Sequence, residues 1–173
     1  MEFLIELLKL TVPAGLAIYG MFIIAVSFLK KEKEMKWLEI KTRNTEVVLP
    51  IRLQAGERLC LLLERIMPNN LVRRVNQPEF SAGELHGILI SEVRNEFNHN
   101  LSQQVYFTDE TWENIRNAVE QVISLINRAY QQTEGNAKSI ELTRKIFQMS
   151  LEQEQDVVAI ALRSIKSELR MYF

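Results

Sequence analysis

The sequence predicts an all-α protein with one N-terminal transmembrane helix followed by a cytoplasmic bundle of about four helices. Three observations lead to this fold class. Residues 10–29 contain no charged side chain, the apolar residues beyond position 50 recur with helical spacing, and only the short TEVVL at 45–49 suits a strand. The 173 residues, with 6 Gly and 4 Pro, fit one domain with long elements plus an attachment.

The composition excludes several classes of protein. The net charge of −1 gives no global attraction to nucleic acid or to an acidic partner. The single cysteine, Cys60, excludes an intrachain disulfide and a cysteine-only metal cage. Because Cys60 lies in the apolar run RLCLLLERI, it is interpreted as a small core residue rather than a reactive thiol.

The run LTVPAGLAIYGMFIIAVSFL at 10–29 is predicted to be a retained membrane span. As a helix it is about 30 Å long, the thickness of a bilayer's hydrocarbon core. A signal peptide would begin with basic residues and end in a small-x-small cleavage site, whereas Glu2 and Glu6 precede this run. The residues expected in lipid include Leu10, Pro13, Gly15, Tyr19, Gly20, Phe22, Phe28 and Leu29.

The flank of the span predicts its orientation. Residues 30–43, KKEKEMKWLEIKTR, contain six Lys or Arg against three Glu, which places the bundle in the cytoplasm and the N-terminus outside a bacterial inner membrane. The predicted parts are a span segment at 1–29, a basic juxtamembrane helix and linker at 30–49, and the bundle at 50–173. Lipid headgroups are expected near Lys30, Lys31, Lys33, Lys36 and Trp37.

The first two bundle helices are predicted from apolar spacing and capping residues. The β-branched residues of TEVVL before Pro50 predict a break in the helix. A helix then follows with Leu59, Leu62, Leu63 and Ile66 on one face and ends at Pro68, and NNLVRRVNQPEF is interpreted as a connection. Ser81 and Glu84 form the pattern of a capping box for a helix that runs to about Asn100.

Two longer helices are predicted in the remainder. The first begins near Thr108 or Asp109, carries an apolar stripe from Trp112 to Tyr130, and ends near Gly135. The second covers roughly residues 137–171. Its second half has the heptad spacing of a seam for a partner helix, in another membrane protein or a second copy, at Val158, Leu162, Ile165, Leu169 and Tyr172.

The stretch SEVRNEFNHNLSQQ at 91–104 holds the densest chemical cluster. Glu92, Glu96 and His99 include the Glu-x-x-His pair of carboxylate-bridged di-iron bundles, but the chain has only one such pair, so a homodimer would be needed to complete a metal site. His86 falls within the apolar face of the same helix and is interpreted as a hydrogen-bonded core residue.

The same stretch contains Arg94, Asn95 and His99, which resemble the R-[N/H/D]-x3-H box of the HEPN superfamily. The resemblance implies metal-independent RNA cleavage, in which Arg94 holds the scissile phosphate and His99 handles the proton of the attacking hydroxyl. On a continuous helix, positions five apart diverge by about 140°, so the two side chains share a pocket only if the helix breaks between them. The alternative is a solvated polar face near the helix end.

Three longer stretches resemble a family of small single-span membrane-anchored proteins associated with Bacteroidota: LQAGERLCLLLERIMPNNLVRR, EVRNEFNHNLSQQVYF and ETWENIRNAVEQVISLINRA. The resemblance implies the architecture and assigns no site.

The function predicted from these features is a membrane-anchored interaction module, an accessory or scaffold subunit that needs no cofactor, small-molecule substrate or specific nucleic acid. A membrane-tethered HEPN-like ribonuclease is the alternative. The sequence therefore leaves open whether the protein is an enzyme, and it favours a non-catalytic protein.

Overall fold

Every regular element in the computed structural model is helical, which confirms the all-α class. The structure describes residues 1–173 apart from 135, 154 and 173; within α1 it also leaves out the side chains of residues 2, 4–11, 13–14 and 40–45. The elements are α1 (Glu2–Ile66), α2 (Pro68–Val75), α3 (Ala82–Asn100), the 3-10 helix η1 (Leu101–Tyr106), α4 (Asp109–Gln131), α5 (Ser139–Leu151) and α6 (Val157–Arg170).

The chain forms two compact units, residues 1–48 and residues 49–173, called here the N-terminal unit and the bundle. The N-terminal unit consists of the first part of α1. Counted over the described side chains, no helix carries an apolar stretch of the length and hydropathy needed to cross a membrane. The side chains of Leu10 and Pro13, which belong to the predicted span, lie outside the described ones.

The core of the bundle is built from the last turns of α1 together with α2 to α6. The predicted apolar face of α1 is confirmed, because Leu59, Leu62, Leu63 and Ile66 are all at most 1% exposed. The predicted stripe of α4 is also confirmed as a core face. Its buried members are Ile115, Ala118, Val119, Val122, Ile126 and Ala129, with Trp112, Ile123 and Tyr130 packed at the edge.

The predicted break before Pro50 is wrong, since α1 continues from the N-terminal unit into the bundle. A proline inside a helix removes one N–H donor, and the β-branched Val47 and Val48 lower helix propensity only slightly. Burial of Ala55, Leu59 and the residues after them favours the helix more strongly than the local pattern opposes it.

The connection predicted after Pro68 contains a helix of its own. Met67 is extended, with φ −50° and ψ 130°, and Pro68 starts α2 at a position where its missing N–H costs nothing. Leu71 and Val72 then bury this short helix against the core. Pro68, which the sequence predicts as the end of one helix, therefore also begins the next.

The last predicted helix is two helices, α5 and α6, which both pack against α4. Asp156 starts α6, because its Oδ1 accepts a hydrogen bond of 2.9 Å from the Ala159 N–H. An aspartate cap of this kind is a local signal that the sequence interpretation missed. The predicted helix end at Gly135 lies outside the described residues.

Candidate functional site

The cluster at 91–104 lies on α3, whose start is fixed by the predicted capping box. The Ser81 hydroxyl accepts from the Glu84 N–H at 3.2 Å, and the Glu84 carboxylate accepts from the Ser81 N–H at 2.9 Å. The Ser81 backbone N–H, and then its hydroxyl, lower the pKa of Glu84. From this start α3 runs unbroken to Asn100, and Leu85, Leu89 and Val93 face the core.

The two carboxylates considered as metal ligands are paired with arginines of neighbouring helices. Glu92 accepts from Arg74 of α2 at 2.6 Å. Glu96 Oε1 lies 2.5 Å from Arg65 Nε of α1, although that buried nitrogen makes no hydrogen bond with suitable geometry. In the part of the chain that the structure describes, no three His, Cys, Asp or Glu side chains are placed to hold a metal ion. Glu92 and Glu96 therefore act within the chain as inter-helix ion pairs.

The residues of the HEPN-like box are brought to the surface but not together. Arg94, Asn95 and His99 are all exposed, and α3 does not break between them. Arg94 and His99 consequently point about 140° apart on one helix. Asn95 donates to Ser91 of its own helix, at 3.4 Å. The three side chains are therefore not brought into one pocket on this helix, and the ribonuclease alternative stays a prediction.

His86 has the structural role predicted for it. Its Nε2 lies 2.8 Å from Asn127 Oδ1 of α4, so the hydrogen bond is made when Nε2 carries the proton. The imidazole also stacks on Tyr130, with ring centroids 4.3 Å apart. These contacts join α3 to α4 and engage Nε2 and the ring of His86 with residues of α4.

A buried polar junction between α1, η1, α4 and α6 was not predicted. Glu168 on α6 accepts from the Thr108 N–H at 3.0 Å and from its hydroxyl at 2.8 Å, and lies 3.3 Å from Arg52 Nη2. Arg52 also donates to the Tyr106 carbonyl at 2.9 Å and 2.6 Å. The guanidinium carbon lies 4.1 Å from the centroid of the Tyr172 ring. Because the charged groups of the junction are partnered on several sides, the junction fixes helix positions.

The predicted partner-helix seam of α6 packs inside its own chain. Val158, Leu162 and Ile165 are buried against α4 and the bundle core, and Leu169 packs beside Gly56 of α1. The heptad spacing was identified correctly, but the partner helices are supplied by the same chain. Only Tyr172, 43% exposed, retains a surface. The prediction of a seam for a second chain is corrected accordingly.

Most of the described apolar residues predicted to lie in lipid are exposed, while Gly20 and Val26 are partly buried. Leu16, Ile18, Tyr19, Met21, Phe22, Ile24 and Phe28 are between 63% and 74% exposed, and Leu29 is 56% exposed. A Cβ added to Gly15 or to Gly20 would meet no atom within 4 Å. No other described part of the N-terminal unit covers this helical segment.

The predicted headgroup residues are exposed as well. Lys30, Lys31 and Lys33 face solvent, Lys36 pairs with Glu32 at 2.8 Å one turn earlier, and Trp37 is 69% exposed. Cys60 is half-buried, and burial raises the pKa of its thiol despite the nearby Lys166 ammonium. This agrees with the interpretation of Cys60 as a packing residue.

The described residues define a class of protein: an all-α chain with an exposed apolar helical segment and a helical bundle in which Glu92, Glu96 and Glu168 pair with arginines of other helices. The chain belongs to the Family of unknown function (DUF7935), whose model matches residues 2–172. No curated protein and no solved structure matches the chain. Membrane anchoring stays a prediction from the run at 10–29 and its flank, and an association with Bacteroidota stays a prediction from the resemblance described above.

Proposed function

We propose that the protein is a membrane-anchored interaction module, in which the apolar segment of α1 lies in the inner membrane and the bundle binds a partner protein on the cytoplasmic side. The observation that carries the proposal is the exposure of the segment at 15–29. It is helical, contains no charged residue, and most of its large apolar side chains are not covered by any other described part of the N-terminal unit.

The energetic argument favours a lipid environment for this segment. Moving one large apolar side chain out of water contributes about 1.5–3 kcal/mol, so the seven most exposed side chains together favour burial by on the order of 10 kcal/mol. A helix that is apolar on all sides is typical of a membrane environment rather than of a solvent-facing surface. The basic residues after the segment support a cytoplasmic bundle.

The interaction role is supported by the bundle itself. The acidic side chains at 92, 96 and 168 are paired with arginines. Of the two histidines, His86 lies in a stacked structural contact and His99 on an exposed surface. An accessory or scaffold subunit needs a rigid surface rather than an assembled reaction centre. The bundle supplies that surface.

The anchor is tested by membrane flotation of the full chain and of the double variant Ile18→Lys/Ile24→Lys. Each lysine at the centre of a span costs about 2.5–3.5 kcal/mol, so the double variant leaves the membrane fraction. The matched control is Met35→Lys/Leu38→Lys, which changes two similarly exposed residues of the same helix outside the apolar segment and remains in the membrane. Recovery of the unmodified chain in the aqueous fraction would overturn the proposal.

A further inference from the structure

The exposed side of α6 is a line of positive charge. Arg163, Lys166 and Arg170 are all exposed and fall within about 60° of one another around the helix, on the side opposite the buried Ile165. Among the described ion pairs, none involves these three cations. The only carboxylate within α6, that of Glu168, is buried at the junction with Arg52. We name these three residues the α6 basic line.

An open groove runs beside the α6 basic line, between α6 and the start of α4. It has a volume of about 450 Å³, and Thr108, Thr111, Ser164 and Ser167 are among the residues that line it, with Arg163 on its α6 side. Ile160 and Met171 also line the groove, and Met171 is 78% exposed. These two apolar residues are eleven positions apart, which corresponds to about 16 Å along a helix. The groove therefore offers apolar, hydroxyl and cationic contacts in parallel with α6.

Carboxylates limit the width of this positive surface on both sides. Glu110 of α4 lines the same groove as Arg163. On the other side, the Cys60 thiol lies close enough to both Lys166 and Glu64 for each charge to act on it. A broad anionic object, such as a lipid surface or a nucleic-acid duplex, would meet these carboxylates as well as the cations. A single helix, about 10–12 Å in diameter, that lies over the cations and the groove would meet the carboxylate on the groove side, that of Glu110, but not both sides at once.

We propose that the α6 basic line and the adjoining α4–α6 groove dock an acidic helical segment of a partner protein, with its carboxylates on the cations and its apolar side chains in the groove. The inference rests on the proposed interaction role and names the surface and the chemistry of the partner. The three cations span about 10 Å, which is two turns of a helix lying alongside, so carboxylates three and four residues apart on the partner match them. Apolar anchors on one face of a helix are a recurring mode of recognition.

The test uses the full chain in neutral phosphatidylcholine nanodiscs and a fluorescent helical peptide of about sixteen residues, with three glutamates at the matching spacing and two leucines eleven residues apart. A peptide with glutamine at the three positions is the matched ligand control. The variant Arg163→Gln/Lys166→Gln/Arg170→Gln removes the α6 basic line. The matched variant Arg73→Gln/Arg128→Gln/Lys138→Gln removes three exposed cations from other elements and changes the net charge equally.

We expect the glutamate peptide to bind the unmodified chain. Loss of the α6 basic line weakens this binding about tenfold or more, whereas the matched variant weakens it about twofold or less. Added salt also weakens the binding. The glutamine peptide binds more weakly to the unmodified chain. Equal losses in the two variants, absence of peptide binding, or tighter binding of single-stranded RNA or anionic vesicles through the same three cations would each overturn the docking of an acidic segment.

The same variants separate this inference from the proposed function. Loss of the α6 basic line leaves flotation with membranes unchanged, because the apolar segment is intact. A chain that does not float contradicts the membrane anchor whatever the peptide result. A native partner that co-purifies equally with the α6 variant would overturn docking at α6 and leave the interaction role standing.

Discussion

Arg52 on α1 and Glu168 on α6 form the most buried ion pair that the structure describes, with side chains 19% and 8% exposed and 3.3 Å between Nη2 and Oε1. The pair is supported on both sides, since Glu168 also accepts from Thr108 and Arg52 also donates to the Tyr106 carbonyl. The pair therefore holds helices that are distant in the sequence in fixed positions relative to each other. Loss of either partner leaves the charge of the other one unpaired.

Truncation of either partner is expected to destabilise the bundle strongly. Arg52→Ala or Glu168→Ala lowers the free energy of unfolding by about 3 kcal/mol, because each leaves a buried charge without its partner. The control Arg116→Ala removes an exposed pair with Glu113 and costs about 0.5 kcal/mol or less. Urea unfolding of the full chain in mild detergent measures the three values, and similar values for all three would contradict the importance of burial at this junction.

Truncation in the α6 seam tests whether its partner helices belong to the same chain. Ile165→Ala lowers the free energy of unfolding by about 2–5 kcal/mol, because it leaves a cavity in the core. The loss is the same at all protein concentrations, and the exposed control Ser167→Ala changes stability by about 0.5 kcal/mol or less. A destabilisation that decreases as the protein concentration rises would instead place Ile165 between two chains.

The capping box gives α3 a defined dependence on pH. Because the pKa of Glu84 is lowered in the folded chain, its contribution is complete above the ordinary glutamate pKa of about 4.3 and is lost as the pH falls through the lower folded value. An NMR titration should therefore find a lower pKa for Glu84 in the folded chain than in urea. Equal pKa values in the two states would contradict the hydrogen bonds from Ser81.

Removal of the serine cap is expected to have a separate cost. Ser81→Ala removes the hydroxyl that accepts from the Glu84 N–H and destabilises the bundle by about 1 kcal/mol. Ser91→Ala, on the exposed side of the same helix, is the matched control. The cap contribution is refuted if both alanines have the same effect on the urea midpoint.

Two helical glycines should respond oppositely to alanine. Gly87→Ala on α3 stabilises the bundle by about 0.5–1 kcal/mol, because alanine has the higher helix propensity and a Cβ there meets no atom within 4 Å. Gly56→Ala gains no such stability, since its Cβ would overlap Leu169 Cδ1. The melting temperatures of the two variants check this, and a similar increase for both would show that α1 and α6 are not closely packed at Gly56.

Local signals predicted some elements of this fold and not others. The Ser81–Glu84 capping box lies within four residues, and the apolar stripe of α4 lies within one helix. Because both patterns are local, the sequence predicts them. The division between α5 and α6 depends on the reversal of the chain against α4, and only the Asp156 cap signals it locally. Heptad spacing fixes which α6 residues are buried, but not whether the covering helix belongs to another chain.

The polar contacts could be predicted less well, because they join distant positions. Arg52 and Glu168 are separated by 116 residues, and neither occurs in a recognisable motif. The cluster at 91–104 was found because its residues are adjacent in sequence. Its carboxylates turned out to pair with Arg65 and Arg74, and this depends on how α1 and α2 pack against α3.

The proposed topology is tested most directly by labelling single cysteines in intact cells with a membrane-impermeant maleimide. In a Cys60→Ala background, Phe3→Cys and Ser91→Cys place exposed cysteines in the N-terminal unit and the bundle, respectively. We expect labelling of Phe3→Cys in intact cells and of Ser91→Cys only after permeabilisation. Labelling of Ser91→Cys from outside, or protection of both cysteines until lysis, would contradict a span with a cytoplasmic bundle.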